Sequence, residues 1–205
     1  FAWLCMAFWT GIIGFFLQLF NIDPLSLRRN QAQPDVSAPL TQKHAVVMPV
    51  YNEDTRRIMV GFEACIRELM ESENRAKFDF FMLSDTRDME KADAELRAFS
   101  RLKKRLGAFS SQVFYRRREQ NLHRKVGNLK EFCERWGANY ESMIVLDADS
   151  VMSGERMQDL ARRIEQNPDT ALVQTIPMPV RQNTFFGRFV QFAAHLNSPM
   201  LATGL

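Results

Sequence analysis

Cysteine is scarce in this chain: Cys5, Cys65 and Cys133 are odd in number and lack metal-ligand spacing. That excludes a disulfide framework or a zinc module and reads as three reduced core residues. A dominant charge is missing too. Lys and Arg number 27 against 24 Asp and Glu, and the formal net charge of +3 is too small by itself to argue for nucleic acid. No G-x-G-x-x-G follows the first apolar run and no G-x-x-x-x-G-K-[ST] occurs, so the common dinucleotide and P-loop readings lose support. What is present is ordinary globular composition, 46% apolar and 25% charged over 205 residues. It excludes a disordered or collagen-like chain and has the size of one domain plus an appendage.

Charge is absent altogether from residues 1–20 (FAWLCMAFWTGIIGFFLQLF), where Thr10 and Gln18 are the clearly polar side chains. At about 1.5 Å per residue, a helix of that length spans the roughly 30 Å hydrocarbon core of a bilayer. With no initiator Met, basic n-region or A-x-A site, the segment is expected to be a transmembrane helix cut from a longer chain, not a cleaved leader. Trp3 and Trp9 suit an interfacial belt or buried packing. Arg28 and Arg29 follow, and the positive-inside bias puts that end and the body after it in the cytoplasm. Residues 21–43 read as a linker, with two prolines between Asn30 and Thr41. Residues 44–205 form the body.

Apolar runs and helical patterns alternate through that body. HAVVMPV, FDFFMLS, QVFYRR, SMIVLDAD and TALVQTI read as five strands. Thr55 to Ser72 puts Ile58, Phe62, Cys65, Ile66 and Leu69 on one helical face, with Asp54 as N-cap. Asp88 to Leu106 has the stripe Ala92, Leu96, Phe99 and Leu102. Asn128 to Trp136 turns Leu129, Phe132, Cys133 and Trp136 inward. After Ser153 as N-cap, Met157, Leu160, Ala161 and Ile164 form another buried stripe. Strand–helix repetition with near-continuous apolar strands predicts an α/β fold with a mostly parallel sheet flanked by helices. Such sheets take ligands outside the carboxyl ends of their strands.

Each strand end carries polar residues. After the first come Tyr51, able to offer a flat face to a base, and Glu53, an acceptor for ring N–H or ribose hydroxyls; a plain turn with capping acids is the equal alternative. After the second comes Asp85, a sugar or base acceptor or a cap. After the third runs YRRREQNLHRKVGN, where a solvated face is the usual meaning. His123 and Lys125 would point the same way from an extended chain. Gly127-Asn128 would then open a helix whose free N–H groups favour an anion such as phosphate. The fourth strand ends in Asp147-Ala148-Asp149, two carboxylates on one side that repel each other unless a hard divalent ion such as Mg²⁺ or Mn²⁺ lies between them.

Pro-Val-Tyr-Asn-Glu, an Asp after the second strand, His-x-Lys-x-Gly-Asn-Leu and Asp-Ala-Asp together resemble family 2 glycosyltransferases of the cellulose-synthase type. FYRRR, RKxGN, FCxRWG and VLDADSVMSG are similar to the subgroup that makes osmoregulated periplasmic glucans. The resemblance implies a GT-A (Rossmann-like) fold preceded by one transmembrane helix. It implies transfer of glucose from UDP-glucose to a β-glucan by metal-assisted inverting displacement, at the bacterial inner membrane with the catalytic domain cytoplasmic. Tyr51 and Glu53 would flank the uracil, Asp85 would contact the uridine, His123 and Lys125 would hold the diphosphate, and Asp149 with Asp147 would hold Mg²⁺ or Mn²⁺. The catalytic base and an Arg-Trp acceptor motif would lie beyond Leu205, leaving the donor half here and the fragment inactive alone. Ser84-Asp85-Thr86 departs from the Asp-Asp-Gly usual in cellulose synthases. Residues 185–205 would be a buried helix, with His195 packed in the core, or an amphipathic helix at the membrane surface. Two other readings compete: a lipid-linked family 2 sugar transferase, and a non-catalytic basic α/β module binding nucleic acid, with salt-sensitive affinity and no need of Asp147 or Asp149.

Overall fold

The structure is a computed structural model that describes residues 1–20, 22, 38–180 and 183–204. Arg28, Arg29 and most of the expected linker lie outside the described residues, as does Leu205. The chain divides into two compact units, Asp35–Ala171 and, separately, Phe1–Pro34 with Leu172–Leu205. Residues 172–205 group with the N-terminal helix by contacts.

In the larger unit four strands, β1 (His44–Val50), β2 (Phe78–Ser84), β3 (Val113–Arg117) and β4 (Ser142–Val145), form one sheet in the order β3-β2-β1-β4. All three pairings are parallel, with Val46 opposite Phe80 and Ile144, and Phe80 opposite Val113. Between them run α2 (Thr55–Met70), α3 (Met89–Leu106) and α4 (Arg124–Trp136), with α5 (Gly154–Gln166) after β4. Alternate strand residues feed opposite faces. Ala45, Val47, Phe81 and Leu83 pack with Phe132 of α4, whose ring meets Phe81 edge-on at 4.8 Å. On the other face Phe62 of α2 meets Phe80 at 6.1 Å. Burial on both faces is why β1 and β2 read as continuous apolar runs. Asp54, Asp88 and Ser153 cap α2, α3 and α5 by accepting from Arg57 N at 2.7 Å, Lys91 N at 3.2 Å and Arg156 N at 3.3 Å.

The departures from expectation are local. Residues 170–176 form no strand, and β4 ends at Val145, short of the expected Asp149. α4 begins at Arg124, four residues before the expected Asn128. On α3 the inward positions are Ala92, Glu95, Phe99, Leu102 and Leu106, while Leu96 is exposed. Of the cysteines, Cys65 is buried, Cys5 half-buried and Cys133 exposed, since the inward face of α4 runs through Asn128 and Phe132 and leaves position 133 turned outward.

In the smaller unit α1 (Ala2–Leu19) packs against α6 (Phe185–Gly204), and Gln18 Nε2 donates to Thr203 Oγ1 at 3.1 Å. α1 is long and apolar enough to cross a membrane. Trp3 and Trp9 are exposed, so they do not serve as buried packing. The burial expected of α6 is not found: Phe185, Phe186, Phe189 and Phe192 are exposed, and so is His195. Its ring Nδ1 lies 2.8 Å from the Gln191 carbonyl one turn back, a local bond that needs no core.

Candidate functional site

The strand order reverses between β1 and β4, and α/β sheets bind ligands at such a switch point, outside the strands' carboxyl ends. A cavity of about 870 Å³ opens there, lined by Tyr51 and Glu53 after β1, Asp85 after β2, Arg124 and Lys125 at the start of α4, and Asp147 and Asp149 after β4. Arg57, Arg87 and Asn121 complete its polar wall. Six of the seven residues singled out from the sequence thus meet around one space. His123 does not line it: with φ 56° it occupies the N-cap of α4, and Arg124 follows at φ 50°. The chain there is a left-handed turn into a helix, not the extended run that would point His123 and Lys125 together.

Asp85 is buried and gripped from behind by Arg118, whose Nε and Nη2 donate to Oδ1 and Oδ2 at 2.6 and 2.8 Å. This bidentate pairing fixes the carboxylate plane. The hydrogen bond to Asp85 holds the Arg118 guanidinium above its ordinary pKa. Arg116 is held below its ordinary value, by burial first, although Glu131 lies 2.8 Å from its Nη1. Arg117 Nε donates to the Thr86 carbonyl at 2.9 Å. The three arginines of FYRRR are therefore built into the fold, while Glu119, Gln120 and residues 122–126 of the same run are exposed.

The β1 loop is pinned as firmly. Asn52 sits at φ 53°, in the left-handed region that asparagine tolerates. Its Oδ1 accepts from Arg87 N and Asp88 N at 3.2 Å each, and its own N–H donates to Thr86 Oγ1 at 3.0 Å. At α4, a Cβ on Gly127 would fall 2.0 Å from the Leu122 carbonyl oxygen, so only glycine allows that turn. Asn128 is fully buried and ties α4 to the sheet by donating to the Leu83 carbonyl at 3.0 Å while accepting from Arg116. Asn52, Arg118 and Asn128 were missed because polar residues in charged surroundings carry no burial signal; their spacing to the motif residues was the available clue.

After β4 the ladder closes with Leu146 N donating to Val47 O at 2.9 Å, and Asp147 to Ser150 form a turn. Asp147 and Asp149 share the cavity through that turn, where an extended i, i+2 strand was expected. Asp147 pairs with Lys125. Among the described residues no group of three or more His, Cys, Asp or Glu is arranged to hold a metal. Two exposed carboxylates with room beside them fit an ion that completes its shell with phosphate oxygens and water. Asn121 contributes a buried Oδ1 with no hydrogen-bond partner among the described residues.

A parallel sheet flanked by helices, with acids, a lysine and an aromatic ring at its switch point, is an α/β fold whose site suits a polar ligand bound outside the strands' carboxyl ends. The description Glycosyl transferase family 2 matches residues 45–201, and the chain belongs to that family. Over all 205 residues it is 40% identical to glucans biosynthesis glucosyltransferase H of Pseudomonas putida (strain W619) and of Vibrio cholerae (strain O395), covering 24% and 27% of those proteins. It is 39% identical to the same-named protein of Ralstonia nicotianae, again over the whole chain and 24% of the relative. The chain spans about a quarter of the length of these curated relatives.

Proposed function

We propose that this chain forms the donor-binding half of a membrane-bound glucosyltransferase that moves glucose from UDP-glucose to a growing β-glucan. The observation that carries the reading is the cavity at the β1–β4 switch point, where Tyr51, Glu53, Asp85, Lys125, Asp147 and Asp149 converge. Tyr51, about half exposed at 48%, stacks on the uracil, and Glu53 accepts from ring or ribose donors. Asp85, fixed by Arg118, receives a uridine hydroxyl or N–H. Lys125 and the uncapped N-terminus of α4 take the diphosphate. Asp149 and Asp147 would hold Mg²⁺ or Mn²⁺, which neutralises charge developing on the leaving diphosphate.

In the displacement, the acceptor hydroxyl oxygen bonds to the anomeric carbon as the bond from that carbon to the phosphate oxygen breaks, and UDP departs with the electron pair. Lys125, on the wall of the cavity, would stabilise that charge. The acceptor's proton passes to a base, a role for which we propose no residue of this chain. Lys125 pairs with Asp147, an ion pair that donor binding would exchange for contacts with phosphate. α1 anchors the protein in the bacterial inner membrane with the α/β unit on the cytoplasmic side, where UDP-sugars are made. The name shared by the relatives favours a glucan acceptor over a lipid-linked one.

Calorimetric titration of the detergent-purified chain with UDP, with and without Mn²⁺, tests this reading. Binding should require Mn²⁺ and weaken at least tenfold in Asp149→Ala, about 1.4 kcal/mol. Binding that ignores Mn²⁺ and survives Asp149→Ala would contradict it, and salt-sensitive RNA binding in its place would favour the nucleic-acid module.

A further inference from the structure

Glu95 is a fully buried carboxylate that no part of the donor site touches directly. It lies on the inward face of α3 and accepts three hydroxyl hydrogen bonds: from Ser84 Oγ at 2.7 Å and Tyr115 Oη at 3.0 Å on Oε2, and from Thr86 Oγ1 at 2.6 Å on Oε1. No lysine or arginine among the described residues pairs with it. A buried carboxylate held only by hydroxyls is costly unless every oxygen is satisfied, so a simple core position would carry leucine or methionine more cheaply. What the carboxylate holds brackets one residue: Ser84 and Thr86 are the chain neighbours of Asp85.

The hydrogen-bond directions are forced. Ser84 Oγ accepts from Thr86 N at 3.2 Å, and Thr86 Oγ1 accepts from Asn52 N at 3.0 Å. Each hydroxyl thus has its own proton free for Glu95. Burial pushes the Tyr115 hydroxyl up to about 12, so it too stays protonated and donates. Through Thr86 the network reaches Asn52, between Tyr51 and Glu53. One carboxylate thus ties the loop carrying Asp85 to the loop carrying the proposed uracil contacts.

We infer that Glu95 is a positioning residue of the donor site: it fixes the Ser84-Asp85-Thr86 turn and, through Thr86 Oγ1, the Tyr51–Glu53 loop, in the arrangement that receives the nucleoside diphosphate. This rests on the donor-site reading above and assigns the recognition of the nucleoside to two loops locked from behind by α3.

The test is calorimetric titration of the detergent-purified chain with UDP and Mn²⁺, well below the melting temperature. Glu95→Gln puts an N–H₂ donor against a hydroxyl donor and should weaken UDP binding about tenfold. Thr86→Val should weaken it similarly, while Thr86→Ser, which keeps the hydroxyl, should restore affinity to within about twofold of wild type. Because Glu95 acts in part through Asp85, Glu95→Gln added to Asp85→Asn should cost clearly less than the sum of the two single losses. Leu102→Val, on the same buried face of α3, lowers the melting temperature without touching the network and should leave UDP affinity unchanged. Glu95→Gln and Thr86→Val that bind like wild type would overturn the inference, as would losses additive with Asp85→Asn or a Leu102→Val variant equally weakened. Failure of Glu95→Gln to fold leaves the Thr86 pair to decide. A wild-type chain that takes up no UDP would sink the donor-site reading and this inference with it, an outcome distinct from equal binding by wild type and variant.

Discussion

At the scale of single residues, the side chains that hold the site differ in kind from those that face it. Lys125 and Asp149 are read from motif spacing, because chemistry dictates their type. Gly127 is dictated by space alone. A methyl group there would meet the Leu122 carbonyl oxygen at 2.0 Å, a contact that only a shift of the backbone can relieve. Gly127→Ala should cost about 1–3 kcal/mol, as overpacking does. The melting temperature should fall by roughly 2–4 °C per kcal/mol in a chain of this size, measured by circular dichroism. Lys125 lies two residues away on the same turn, so UDP affinity should fall with it.

At the scale of elements, β1 is fastened to the start of β4 and to α5 by a buried histidine. His44 Nδ1 lies 2.8 Å from Ser142 Oγ and its Nε2 lies 3.0 Å from Glu165 Oε1. Glu165 also accepts from Thr41 N and Gln42 N, at 3.1 and 2.9 Å. Burial holds His44 below its usual 6.5, against the pull of Glu165 and Glu141. For Glu165 burial acts upward, but the Gln42 and Thr41 amides and His44 outweigh it and hold the carboxyl below 4.5. An unfolded chain protonates histidine below about pH 6.5 while folded His44 stays neutral, so stability drops as pH falls from there. The contribution of Glu165 is present above 4.5 and is lost as pH falls through its lowered value. Melting temperatures measured from pH 8 to 4 should therefore decline on the acid side, and His44→Gln should flatten the first part of that decline.

At the scale of the whole molecule, each unit has its own character. The α/β unit buries its apolar residues between sheet and helices. The unit of α1 and α6 leaves Trp3, Phe8, Trp9, Phe185, Phe189 and Phe192 exposed, more apolar surface than a water-soluble protein normally carries. Detergent removal should drive the chain into aggregates pelleted by ultracentrifugation, and reconstitution into liposomes should keep it dispersed.

The sequence by itself determined the alternation of strands and helices, the apolar first helix and the residues gathered at the strand ends. Hydrophobic period and local capping decide the elements, and both are properties of neighbours along the chain. The stripe on α3 shows the limit of that logic. An apolar criterion selected Leu96, whereas the fold turns Glu95 inward, because three hydroxyls from β2, β3 and the loop after β2 converge on its carboxylate. The same holds for Arg118 behind Asp85 and for the turn that brings Asp147 and Asp149 to one cavity. Only the tertiary structure decided these, since a buried charge is stable where distant segments supply its partners, and no window of sequence contains them.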